Sequence, residues 1–135
     1  MAITGIGVDL VDIARFEQQL GKTPGLTERL FSPAELSGDS ALKPATLAGK
    51  FAAKEAFIKA IGSGAGMNWQ DVRVIKDASG KPHFELSGET ANIVSAAGVS
   101  RLHLSIAHDG GMAIAYVIAE ELELSNDQPA GGAHA

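Results

Sequence analysis

The 135-residue chain contains no cysteine, which excludes a disulfide framework, a thiolate-ligated zinc and a thiol nucleophile. It has no basic excess: 11 lysines and arginines stand against 16 acids, a formal charge of −5. That balance argues against a nucleic-acid binder. No apolar run approaches the ~18 residues of a membrane span, and Met1 is followed by no basic-then-apolar leader. A soluble, cytoplasmic protein with neither nucleic-acid nor membrane partner is expected. There is no internal repeat. The length fits one domain, able to bury roughly two-thirds of its unfolded surface. That domain is expected over residues 1–124, with a polar, small-residue tail, disordered, over 125–135.

What is present is unevenly placed. Residues 120–127 hold four acids and no base, whereas residues 43–59 hold four lysines against Glu55 alone. The second stretch reads either as a solvated helix face or as a phosphate-facing patch inside an acidic protein.

Residues 3–10 alternate loosely and carry two glycines, a strand pattern with a close backbone approach. Asp12 can cap a helix with Ile13, Phe16 and Leu20 at helical spacing. Ser32-Pro33-Ala34-Glu35 combines a cap, proline at the first position and glutamate three residues on. The clearest helix spans about 45–61, with Leu47, Phe51, Ile58 and Ile61 as an apolar stripe and a glycine run from Gly62 to stop it. Two short strands, 72–76 and 83–86, flank a Ser79-Gly80 turn. A helix over 89–97 follows, then a hairpin of 102–107 and 112–121 with Asp109-Gly110 at its turn. This order implies an α+β fold, an antiparallel sheet packed with helices.

Four features carry chemistry. Gly5-Ile6-Gly7 lacks the third glycine of a dinucleotide fingerprint. Asp9 behind it is either a strand-end cap or a carboxylate set to hold a metal. Lys50 and Lys54 share one helix face, and Glu55 and Lys59 share another. Glu55–Lys59 is either a simple helix ion pair or part of a ligand site, since Glu55 beside Phe51 and Ile58 would be costly to bury alone. His108 ends the apolar face of Leu102, Leu104 and Ile106, the position of a structural histidine or a ligand-binding one. Ser105 lacks the G-x-S-x-G elbow of a serine hydrolase.

Three blocks in order, Gly5-Ile-Gly-Val-Asp9, Phe51-Ala-Ala-Lys-Glu-Ala-Phe-Ile-Lys-Ala60 with Gly62-Ser-Gly, and Ser105-Ile-Ala-His108-Asp109, resemble the holo-[acyl-carrier-protein] synthases. These are the small single-domain class of 4′-phosphopantetheinyl transferases. The resemblance spans about residues 3–121 and includes Phe31-Ser-Pro-Ala-Glu35 and Gly80-Lys81-Pro82. It implies a homotrimer of the 4′-phosphopantetheinyl transferase fold with sites at subunit interfaces. It also implies a Mg²⁺-dependent reaction of fatty acid biosynthesis, moving 4′-phosphopantetheine from coenzyme A to a serine of an apo acyl carrier protein. A non-catalytic coenzyme A or nucleotide-binding module on the same fold is the alternative, one that could dispense with Asp9 or Glu55.

The resemblance further assigns Asp9 and Glu55 to Mg²⁺, and Lys54, Lys59, Gly62 and Ser63 to the coenzyme A phosphates and the helix end. Pro82 would lie by the adenine, and His108 near the phosphate end of the nucleotide. Arg15 would contact the carrier's acidic helix. Asp9, with a water, and His108 are the candidate bases for the serine hydroxyl. Where the family often has arginine this chain has Lys50, and Ala107 stands where serine or threonine is usual.

Overall fold

A computed structural model describes residues 1–38, 40–62 and 64–122. Strand β1 (Ala2–Asp12) leads into helices α1 (Ile13–Lys22) and α2 (Leu26–Leu30), then a 3-10 turn (Pro33–Leu36) and the long helix α3 (Pro44–Ile61). A second 3-10 turn (Trp69–Asp71), strands β2 (Val72–Lys76) and β3 (Pro82–Leu86), helix α4 (Gly88–Ala96), and strands β4 (Arg101–Asp109) and β5 (Met112–Glu121) complete the order. Two antiparallel sheets result, β1-β5-β4 and β2-β3. The expected α+β architecture is present.

The central contact is α3 against the inner face of β1 and β5. Alternation sends Gly5, Gly7, Asp9 and Val11 to that face and Ile6, Val8 and Leu10 to the other, where all three are exposed. A Cβ at Gly5 would stand 1.8 Å from the Ala60 carbonyl oxygen, and one at Gly7 1.9 Å from that of Ala56. Only glycine permits this approach of strand to helix. Ala113, Ala115, Val117 and Ala119 of β5 are all buried beneath the same helix.

Helix α3 is wrapped on most sides. Leu47, Ala48, Gly49, Ala52, Ala53, Lys54, Ala56, Phe57 and Ala60 are buried, whereas Phe51, Ile58 and Ile61 only pack on the edge of the core. The expected stripe is therefore corrected: small residues form the contact surface because backbone approaches closely on several sides. Asp12, not Asp9, caps α1, its carboxylate accepting from the Arg15 N–H at 3.0 Å. Asp9 lies inside β1, paired with Ala115. Ser32 and Glu35 form the expected reciprocal cap, but the helix it starts is one turn long. The β4–β5 hairpin turns on Gly110 and Gly111, both at positive φ, as a two-residue turn of this hand requires.

Candidate functional site: a carboxylate pair and a cationic cleft

Asp9 reaches the surface between β1 and α3, its side chain 16% exposed. Glu55, half-buried, comes from α3 beside it. Burial raises the Glu55 pKa above its usual value of 4.5, and the Asp9 charge raises it further while Lys59 opposes. Lys59 does not make the helix ion pair with Glu55 that its spacing allows. Its ammonium donates to Asp9 Oδ1 at 3.2 Å and to the Val8 carbonyl at 3.0 Å. Among the described residues Glu55 has no hydrogen-bond or ion-pair partner. Two carboxylates, one desolvated and unpaired, form a site short of positive charge. Among the described residues no cluster of three or more metal-ligating side chains occurs. A divalent ion held here would complete its shell with water and substrate oxygens, the habit of Mg²⁺.

A second feature lies at the other end of α3. A cleft of about 430 Å³ is lined by Pro82, Ile106, His108, Lys50, Lys76 and Gly49, among others. His108 Nε2 is 2.9 Å from the Ala45 carbonyl oxygen. A carbonyl only accepts, so Nε2 carries the proton and the exposed ring keeps Nδ1 free. Gly49 makes room for this: a Cβ there would stand 2.9 Å from His108 Nε2. Burial pulls the Lys50 ammonium below its usual pKa, with Glu35 opposing and Lys76 adding to the fall. One Lys50 donor is held by the Glu35 carbonyl at 2.6 Å. The cleft thus presents an apolar floor with two lysines and a histidine, features suited to an anionic nucleotide. Lys76 and Gly49 carried no motif. The readable signal for Gly49 is that it is the one glycine inside α3.

Lys54 is a correction. It is 1% exposed and paired with the fully buried Glu35 at 2.8 Å. Its other donors go to the carbonyls of Leu30 and Trp69. Glu35 in turn accepts the N–H groups of Ser32 and Val74. All three ammonium donors are used internally, so Lys54 ties α3 to the 30–35 segment and to Trp69, ahead of β2, rather than meeting a phosphate. Burial lowers its pKa, and Glu35 opposes that shift. Gly62 closes α3 in the left-handed region at φ 92°. Ser63 lies outside the described residues, as does the 125–135 tail. Arg15 is exposed on α1, which is set on α3 by a stacked pair, Phe16 on Phe51 at 4.8 Å.

Within one chain the two features do not meet. The cleft gathers at Ala45–Lys50 and the carboxylate pair at Glu55–Lys59, so His108, bonded at Ala45, is ~15 Å along the helix axis from Glu55.

This fold and these two features suit an enzyme acting on an anionic nucleotide, and comparison with known proteins gives the class. Residues 5–117 match the model of the 4′-phosphopantetheinyl transferase superfamily. The chain is 52% identical to a holo-[acyl-carrier-protein] synthase of Clavibacter sepedonicus over 118 residues, 87% of this chain and 96% of that one. The holo-ACP-synthase crystal structure from Plasmodium yoelii superimposes with a TM-score of 0.81 at 28% identity, covering 90% of this chain and 98% of that one. A Helicobacter pylori holo-[acyl-carrier-protein] synthase in complex with coenzyme A gives 0.75 at 35% identity, covering 85% and 99%. The chain belongs to the 4′-phosphopantetheinyl transferase superfamily and, within it, to the holo-[acyl-carrier-protein] synthases.

Proposed function

We propose that this protein transfers 4′-phosphopantetheine from coenzyme A to a serine of an apo acyl carrier protein, in the cytoplasm and in the service of fatty acid biosynthesis. The carrying observation is the half-buried Glu55 carboxylate, unpaired among the described residues, beside Asp9 at the β1–α3 contact that Gly5 and Gly7 create. Lys59 answers only Asp9, so the second carboxylate is costly without a further cation, and a non-catalytic module could dispense with it.

Asp9 and Glu55 are the residues that would hold Mg²⁺, which when bound would supply Lewis-acid stabilisation of the phosphoryl oxygens and of the charge on the leaving 5′-phosphate. Lys59, half-exposed at the same place, can donate to phosphate oxygens. Asp9 is the base we favour for the serine proton, through a water, because its Oδ2 has no partner among the described residues. The serine oxygen forms a bond to the phosphorus that bears the pantetheine arm, the diphosphate bridge breaks, and adenosine 3′,5′-bisphosphate leaves. Arg15, exposed and without an ion pair among the described residues, offers a cation to an acidic carrier.

The nucleotide end belongs in the cleft, against Pro82, His108, Lys50 and Lys76. In one copy that cleft is lined without Asp9 or Glu55, and we propose a homotrimer in which each site joins Asp9 and Glu55 of one copy to the cleft of a neighbour. The outer sheet face supports self-association: Ile6, Leu10 and Tyr116 are 61%, 59% and 51% exposed, a contiguous apolar surface with Val8 opposite Tyr116.

The test is incubation with coenzyme A, Mg²⁺ and an apo carrier, read by intact mass. A gain of one phosphopantetheine that requires the metal is expected. No gain across several carriers would refute the reading.

A further inference from the structure

We propose that Lys59 is a resident counter-ion for Asp9, which makes metal binding at the carboxylate pair conditional on the arrival of the coenzyme A diphosphate. The inference rests on the metal reading above and adds a role to Lys59 that phosphate binding alone does not contain.

The geometry carries it. Glu55 precedes Lys59 by four residues on α3, the favourable orientation for a helix ion pair. Lys59 nevertheless crosses to β1, where Asp9 Oδ1 and the Val8 carbonyl hold two of its three donors. Asp9 is set in the strand at 16% exposure, while the lysine is 54% exposed, so Lys59 is the member free to move. A divalent ion on Asp9 and an ammonium within hydrogen-bonding distance of the same carboxylate repel. The metal-free protein is therefore stabilised by the same cation that the metal must push away. A diphosphate entering beside the metal brings acceptor oxygens for the displaced ammonium, so the lysine exchanges a carboxylate for a phosphate. Metal and coenzyme A then bind cooperatively, and the coupling is reciprocal. This arrangement keeps the carboxylates from retaining a metal tightly when no substrate is present.

The experiment is a Mn²⁺ titration of the full chain, following free Mn²⁺ by its paramagnetic resonance signal, with and without coenzyme A. In the unmodified protein, coenzyme A is expected to tighten Mn²⁺ binding ~10-fold or more. Lys59→Met should bind Mn²⁺ ~5-fold more tightly in the absence of coenzyme A and lose that part of the coupling, keeping only what direct ligation of the metal by diphosphate oxygens supplies. Lys59→Gln should behave alike, and Lys59→Arg should restore the unmodified pattern. If Lys59→Met and Lys59→Gln bind Mn²⁺ alone no more tightly than the unmodified chain, the counter-ion role is wrong while the metal site stands. If, with coenzyme A present, the unmodified chain shows no Mn²⁺ binding that Glu55→Gln removes, the metal reading itself fails and this role falls with it.

Discussion

Glu55→Gln is expected to lower turnover by about three orders of magnitude, the effect of losing ~4 kcal/mol of charge stabilisation at the transferred phosphoryl group, without harming the fold. The glutamine fills the same space but removes one of the two anionic groups proposed to hold the metal. The metal-free protein should even gain stability. A carboxyl whose folded pKa is raised contributes stability that is fully present below its unfolded value of 4.5 and is lost as pH rises through the folded value. At neutral pH the ionised Glu55 is thus an internal cost, arising from burial first and from Asp9 second. The amide has no such cost. Thermal unfolding without metal should therefore show Glu55→Gln melting at or above the unmodified chain at pH 7, and with it below pH 4.5. A clear drop in Tm at pH 7 would mean that Glu55 is structural, not a ligand held ready against its own repulsion.

Lys54→Met should have the opposite signature. Losing the lysine leaves Glu35 fully buried with its charge uncompensated and takes the donor from the Leu30 and Trp69 carbonyls. Breaking a buried pair from one side costs about 3–5 kcal/mol, a large share of the ~5–15 kcal/mol that holds a domain of this kind. The expected Tm drop is ~10–20 °C, with the KM for coenzyme A nearly unchanged at a temperature where the variant remains folded. A phosphate-binding lysine would give the reverse, a raised KM at unchanged stability. Lys54→Arg should not rescue, since the longer planar fork does not fit the enclosed geometry of three carbonyl and carboxylate acceptors.

These two residues are neighbours in sequence and differ in kind, which shows where reading the chain stops. Glycines at alternate positions of an apolar strand already signalled a backbone contact, and the structure places Ala60 and Ala56 against them. The Ser32–Glu35 cap, the hairpin turn and the span of α3 were equally legible, because each depends on residues within a few positions. The burial of Lys54 was not. Its partner lies 19 residues upstream, and three lysines on one helix, with Lys43 just ahead of it, read as a phosphate-facing set when nothing local separates the buried one. Lys59 presented the same difficulty: spacing pairs it with Glu55, yet the fold offers Asp9, 50 positions away. Motif blocks identified the family, but could not divide its lysines between core and site.

The central claim is that catalysis needs the carboxylate pair of one copy and the cationic cleft of another. It is tested most directly by mixing two variants, Asp9→Asn and the double variant Lys50→Glu/His108→Ala, each inactive by itself. After subunit exchange at equal amounts, random association into a ring of identical interfaces should restore about one quarter of the unmodified activity, because that share of sites pairs an intact half from each variant. No recovery in an oligomer shown to contain both variants would contradict the shared site.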